Sequence, residues 1–275
     1  MHELNHSSLK IVKAGTEESL ADNIRTNLAR GCTEFQPAHC FHDGNMVITG
    51  SGHSLPEHLD ELKQERVEGR PICAVKGTHD YLIENGLEPD LFVSCEPRER
   101  ELKYVSDRTV YFLASRCNTT LFDRLQGKKI VVWHACVGGK GVKETGKPLG
   151  WDDLNLDPEC ELWKGKMGIG GGTTSGLRAL NLCYLMGFRN LILYGFDSCL
   201  APDRDTKRFT GEKVGDAWKG DIIVDGKRFW CNGAWAQQAT EFQELYRGMD
   251  MHVEAKGDGL IAAIIEARRK RGYKA

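Results

Sequence analysis

MGIGGGTTSGLRALNLCYLMGFRNLILYGFD, residues 167–197, holds a complete α/β unit in one unbroken run. Four glycines fall in its first six residues. Thr173, Thr174 and Ser175 follow, then apolar residues at helical spacing over 174–187, then an apolar strand over 190–195 that stops at Asp197. Apolar residues recurring every three or four positions mark one face of a helix, and a short continuous apolar run marks a strand covered on both sides. Glycine turn, helix and covered strand in that order predict a layered α/β sheet.

The same grammar recurs on either side. MVIT (46–49) runs into GSGHSLPEHLDELK, which reads as strand, tight glycine turn and helix start, with Ser54 as cap and Pro56 in the first turn. PICAVKG (71–77), DLFVSC (90–95), TVYFLAS (109–115) and KKIVVWHAC (128–136) read as further strands, and THDYLIENG as a helix closed by Gly86. Downstream, Asp225-Gly226 predicts a hairpin turn, 233–246 a helix and 251–255 a last strand. Asp258 is the expected cap of a final helix, GLIAAIIEARRK, whose basic end suits a helix C-terminus. The expectation is a Rossmann-like three-layer α/β sandwich with a mostly parallel central sheet. Residues 1–45 read as an N-terminal extension with a helix over 17–30, and 46–275 as the domain. Residues 137–165 read as a surface excursion, and the polar stretch 198–232 as a candidate lid.

A chain of 275 residues is long enough to bury a sizeable core. Apolar content of 40%, charged content of 28% and a net charge of -2 are globular values and argue against a nucleic-acid partner. MHELNHSSLK lacks the apolar segment of a signal peptide, and no run reaches the roughly 18 apolar residues of a membrane span. The ten cysteines form no CxxC pair and several interrupt apolar runs, which predicts buried free thiols in a reducing cytoplasm.

Two glycine turns hold the candidate chemistry. Gly50-Ser51-Gly52-His53-Ser54 follows a strand and opens a helix. Small residues there allow close approach of an anion to free amides at a helix start. The turn is neither a full GxGxxG nor a Walker A motif, and a tight strand-to-helix connection explains it equally. In the second turn, Gly170, Gly171 and Gly172 suggest close approach of a ligand or of another backbone. One of the hydroxyls of Thr173, Thr174 and Ser175 is expected to cap the helix, leaving the others for a phosphate or ribose oxygen. Ligands of open α/β sheets sit beyond the C-terminal strand ends, where both turns, Lys76, Glu96, Arg116, Asn118, His134 and Asp197 are expected to converge.

VITGSGHSL, IENGLEPDLFVSCEPR, GGGTTSGLRALNLCYLMGFRNLILYGFD, GKRFWCNGAWAQQATEFQELY and MHVEAKGDGLIAAI resemble successive blocks of the MptE-like, 6-hydroxymethylpterin pyrophosphokinase-like family. That group is broadly similar in fold pattern to bacterial sialyltransferases that use CMP-sialic acid. The resemblance covers about residues 46–265 and implies binding of a nucleotide diphosphate or nucleotide sugar. Gly50, Ser51, Gly52 and Ser54 would lie near the phosphates, with Gly172, Thr173, Thr174 and Ser175 on the opposite wall. Two departures stand out: His53 replaces the usual proline, and Cys95-Glu96 replaces an aspartate-centred block end.

Glu96 and Asp197 are the candidate catalytic acids and the candidate Mg²⁺ ligands, since such a site needs one or two carboxylates plus phosphates. The alternative is that each acid caps the turn after its strand. His53 is a candidate acid or base, or a solvent-facing turn residue. Asn118 is a candidate reader of a base edge or sugar hydroxyl. Arg204, Lys207 and Arg208 are candidate lid cations, or an ordinary solvated loop. His39 and His42 flank Cys40 without the second cluster that zinc needs. GxSxG is absent, which argues against a hydrolase elbow. The leading expectation is a glycosyltransferase-like enzyme using a nucleotide-linked donor, with no tightly bound cofactor. The alternatives are an Mg²⁺-dependent diphosphokinase of the hydroxymethylpterin type and a non-catalytic nucleotide-binding or assembly protein. Expected partners are a nucleotide or nucleotide sugar, an unidentified acceptor and a second copy of the chain. The late aromatics Trp218, Phe229, Trp230 and Trp235 read as a partner surface, a ligand cover or core.

Overall fold

The computed structural model describes residues 16–136, 158–215 and 219–273. In chain order the elements are α1 (Glu17–Ala29), β1 (Thr33–Glu34), β2 (His42–Thr49), a 3₁₀ turn (Leu55–His58), α2 (Leu59–Val67), β3 (Ile72–Val75), α3 (Thr78–Glu84), β4 (Leu91–Ser94), β5 (Val110–Ala114), α4 (Thr119–Arg124) and β6 (Ile130–Ala135). After a second 3₁₀ turn (Pro158–Trp163) come β7 (Gly168–Ile169), α5 (Ser175–Leu185), β8 (Phe188–Tyr194), β9 (Lys219–Val224), β10 (Lys227–Asn232), α6 (Gly233–Gly248), β11 (His252–Ala255) and α7 (Leu260–Lys270). Part of the expected excursion, 137–157, and Trp218 lie outside the described residues.

The main sheet runs β1-β6-β5-β4-β3-β2-β8-β11, with β7 also on β6. Every pairing within it is parallel. This is the Rossmann-like, three-layer α/β arrangement that the strand grammar predicts. Successive side chains point to opposite faces. Met46, Ile48, Cys73, Val75, Leu191 and Leu193 accordingly join one core with Leu177, Leu180 and Cys183 of α5. Val47, Ile72, Ala74, Ile192 and Tyr194 join a second core with Leu62 of α2 and Leu82 of α3. Eight of the eleven residues of α5 are buried, and each fully buried leucine contributes about 2 kcal/mol. Cys73, Cys117, Cys183, Cys199 and Cys231 are buried free thiols, and burial pushes Cys117 up to about 12.

β2 starts at His42 rather than Met46, because its first residues are exposed and carry no apolar signal. β1 and β7, two residues each, are too short to show a period. Residues 33–34 of the expected extension pair with β6 and so belong to the sheet. Ser54 stands at the expected N-cap position of the 3₁₀ turn, whereas the expected cap at Asp258 is corrected. Ser54 makes no side-chain cap, because its hydroxyl turns to Asp197. Gly259 is the N-cap of α7, while exposed Asp258 pairs with Lys227 at 3.3 Å. The hairpin of β9 and β10 turns at Asp225 (φ 46) and Gly226 (φ 83), as Asp-Gly predicts. No helix of the described residues is long and apolar enough to cross a membrane.

Candidate functional site

β3 continues from β2 on one side, while β8 lies on the other. The strand order therefore reverses between β2 and β8, and a crevice opens at their C-terminal ends. A cleft of about 200 Å³ lies there, walled by the turn after β2 (Gly50 to Gly52), the turn after β8 (Gly195 to Ser198), and Thr173 to Gly176. Val75, Lys76, Arg208, Trp235 and Gln238 complete the wall.

The first turn packs against backbone. Gly50 donates to the Tyr194 carbonyl and Gly52 to the Gly195 carbonyl, both at 2.8 Å. A side chain at Gly52 would meet the Gly195 carbonyl at 2.6 Å and collide with Asp197. Gly195 has φ +66, and a side chain there would overlap the Gly50 carbonyl. Its glycines are therefore needed whether or not a ligand binds. Asp197, 2% exposed, accepts from the Ser54 amide at 2.9 Å and the Ser54 hydroxyl at 2.6 Å. Its carbonyl also accepts from Leu260 at 2.7 Å, joining the first turn, β8 and α7. His53 is not among the residues that line the cleft; its Nε2 lies 3.9 Å from Asp197 and has no hydrogen-bond partner.

The second turn is laced to α6. The Glu241 carboxylate accepts from the Thr173 amide and hydroxyl, each at 2.9 Å, and from Gln237 at 2.9 Å. Gly172 has φ +88, and a side chain there would reach Glu241 at 2.7 Å. Thr174 is the N-cap of α5, accepting from Leu177 at 3.3 Å, and the Ser175 hydroxyl contacts Cys95 at 3.0 Å. Ser175 and Gly176, the first residues of α5, lie on the cleft wall, and their amides have no intrahelical partner. Ser198 lines the same cleft, 4% exposed, at φ 49, with an Oγ that finds no hydrogen-bond partner.

Glu96 belongs to a neighbouring pocket with Phe92, Leu102, Leu121 and Arg100, which shares Lys76 with the cleft. Lys76 lies 2.9 Å from Glu96, and Arg98 binds it at 2.7 and 3.1 Å. Burial raises the Glu96 carboxyl, but Arg98 and Lys76 outweigh it and hold the group at about 2. Lys76 keeps a left-handed backbone, φ 55, at the junction of the two pockets. Glu96 and Asp197, expected to face one ligand, thus line different pockets. No three His, Cys, Asp or Glu side chains among the described residues converge as metal ligands.

The other expected residues fall in several places. Asn118 caps α4 through Thr120 at 3.0 Å, away from the cleft. Arg208 lines the cleft and pairs with Glu212 at 3.0 Å, whereas Lys207 pairs with Glu212 at 2.6 Å and Arg204 lies over Trp230. Phe209 donates to the Ser51 carbonyl at 3.3 Å, so the polar stretch after Asp197 touches the first turn. His134, 3% exposed, bonds Ser115 at 3.1 Å, stacks on Trp163, and is held neutral by burial with a pKa of about 4. Lys76, Ser198, Gln238 and Glu241 join the site without a motif of their own. Only Lys76 and Ser198 had a signal, by standing at strand ends.

A family model described as 6-hydroxymethylpterin diphosphokinase MptE-like matches residues 18–203. No curated protein sequence matches the chain. Among solved structures, the chain is similar to the MAf glycosyltransferase from Magnetospirillum magneticum AMB-1, at 12% identity and a TM-score of 0.60. The match takes in 94% of this chain but 42% of that one. This chain therefore spans less than half of that enzyme, and the likeness is one of fold.

Proposed function

The chain belongs to the 6-hydroxymethylpterin diphosphokinase MptE-like family, and on that premise we propose that it is a nucleotide-dependent diphosphotransferase. The donor's phosphates lie between the first amides of α5 and Ser198. The observation that carries this reading is Ser198, a residue of the cleft wall whose buried hydroxyl has no partner, on a cleft also lined by the first residues of α5. A buried hydroxyl without a partner costs roughly 1–3 kcal/mol, which a phosphate oxygen would recover. The helix start adds favourable charge for an anion.

In the proposed reaction an acceptor hydroxymethyl oxygen attacks the β-phosphorus of a nucleoside triphosphate. The bond from that phosphorus to the oxygen shared with the α-phosphorus breaks. A nucleoside monophosphate leaves, and the hydroxyl proton passes to solvent. Glu96, held at about 2, is a weak base near neutrality, so its role is to position Lys76 between the two pockets. Lys76 and Arg208 supply positive charge to the cleft. Both oxygens of Asp197 accept from Ser54, and Glu96 is held by two cations, so these acids as placed do not form a protein-built metal site. Mg²⁺ would arrive as part of the nucleotide substrate, and no step is assigned to it.

Glycosyl transfer from a nucleotide sugar is the second reading, supported by the fold likeness to the Magnetospirillum enzyme. It uses the same phosphate contacts. Thermal shift against ATP, ADP, CMP, UDP and GDP, with and without Mg²⁺, tests the shared premise. Phosphorus NMR of ATP–Mg²⁺ with 6-hydroxymethylpterin then separates the readings. Formation of AMP and a diphosphorylated product supports the proposal. Stabilisation by CMP, UDP or GDP without AMP formation moves the assignment to glycosyl transfer. No stabilisation by any nucleotide at millimolar concentration removes the cleft as a nucleotide site and favours a non-catalytic assembly protein.

A further inference from the structure

Trp235 and Gln238 sit three residues apart in the first turns of α6, on the face that walls the cleft. The Trp235 amide donates to Asn232 at 2.9 Å, which ties the start of α6 to the end of β10. The indole is half-buried, yet Trp235 joins none of the hydrophobic clusters formed by the described residues. A large aromatic ring that leaves the core and lines a polar cleft is unusual, because burial against apolar neighbours is its ordinary stabilisation. Its companion is an amide. A side chain at Gly176 would meet Gln238 Nε2 at 3.6 Å and the Phe196 ring at 2.9 Å, so Gln238 reaches over the start of α5. No described hydrogen bond engages that amide.

We infer that Trp235 and Gln238 form the ring-binding wall of the cleft and receive the flat heteroaromatic base of a nucleotide whose phosphate lies at the start of α5. This rests on the phosphate assignment above and deepens it. Indole and base stack face to face, which tolerates any base because each has a π-face. Gln238 supplies one donor group and one acceptor to the base edge, so it is the part that discriminates between bases. A sugar ring alone lacks both the π-face and the fixed edge.

Calorimetric titration of the full chain with pyrophosphate, ribose 5-phosphate, AMP and CMP tests the assignment. All four probes carry phosphate, and the last two add a base. The expected result is that the better nucleotide binds at least about tenfold more tightly than ribose 5-phosphate. Trp235→Ala abolishes that advantage and leaves pyrophosphate binding unchanged, while Trp235→Phe keeps most of it. Gln238→Leu narrows the AMP-to-CMP ratio without weakening ribose 5-phosphate. Equal binding of nucleotides and ribose 5-phosphate by the unaltered chain overturns the inference. So does a Trp235→Ala variant, folded by its thermal transition, that weakens every probe alike. An unchanged AMP-to-CMP ratio in Gln238→Leu overturns the role of Gln238. If none of the four binds, the phosphate assignment itself falls, which distinguishes that failure from loss of the ring wall alone.

Discussion

The two glycine turns share a pattern and differ in what closes them. In each, a carboxylate from a distant part of the chain takes both the amide and the hydroxyl of one residue. Asp197 does so for Ser54, and Glu241 does so for Thr173. Asp197 is buried, and its turn is fixed backbone to backbone, Gly50 donating to the Tyr194 carbonyl and Gly52 to the Gly195 carbonyl. The Glu241 contact is exposed and joins a turn to a neighbouring helix. The first turn is therefore welded into the sheet, while the second is held by a side chain at the surface. A glycine-rich turn can thus report backbone crowding, a side-chain latch or a ligand, and the partner atoms decide which.

The widest gap should appear at two positive-φ glycines, Gly195, which packs against the first turn from the end of β8, and Gly172 within the second. Gly195→Ala forces a side chain into a left-handed residue and onto the Gly50 carbonyl. It should cost at least about 3 kcal/mol in denaturant unfolding. Gly172→Ala meets the mobile end of Glu241 and the tip of Leu177 instead, and should cost roughly 1–2 kcal/mol. Equal losses would break the contrast.

Removing charge from each carboxylate sharpens it. Asp197→Asn should lose about 2 kcal/mol, since its hydrogen bonds to Ser54 are buried and charge-assisted. Glu241→Gln should lose less than about 1 kcal/mol, because water replaces an exposed contact. A Glu241 variant as destabilised as the Asp197 variant would show that the second turn is welded too.

Ser198→Ala tests what remains free between the turns. With no partner to lose, it should leave the melting temperature within about 2 °C of the parent. Pyrophosphate affinity should fall roughly fivefold, read by calorimetry. A large drop in stability with unchanged affinity would assign the hydroxyl to the fold.

Away from both turns, stability should also respond to pH. His134 is held neutral in the fold, its pKa near 4 against an ordinary 6.5. The unfolded chain binds the proton first, so stability declines as pH falls from about 6.5 toward 4. Glu96, held at about 2 against an ordinary 4.5, adds a further loss as pH falls from about 4.5 toward 2. His134→Asn should flatten the upper part of the decline, and a profile unchanged by it would reject the assignment.

Much of the architecture was legible because apolar runs bounded by glycine report burial directly. The strands of the central sheet, α5 and the Asp225-Gly226 hairpin follow from such local patterns. β1 and β7 did not, because two residues carry no period. Sequence could place Gly50 to Ser54, Glu96, Thr173 to Ser175 and Asp197 at element ends, where chemistry gathers in this class of sheet. It could not show that Ser54 faces Asp197 across 143 positions, or that Thr173 faces Glu241 across 68. Nor could it separate Glu96 from Asp197, which depends on which strands become neighbours. Local residues determined the elements and the family likeness through backbone preference and burial. Tertiary structure alone decided which donors remain free and which side chains share a cleft, because hydrogen bonds and close packing act between atoms brought together by strand order.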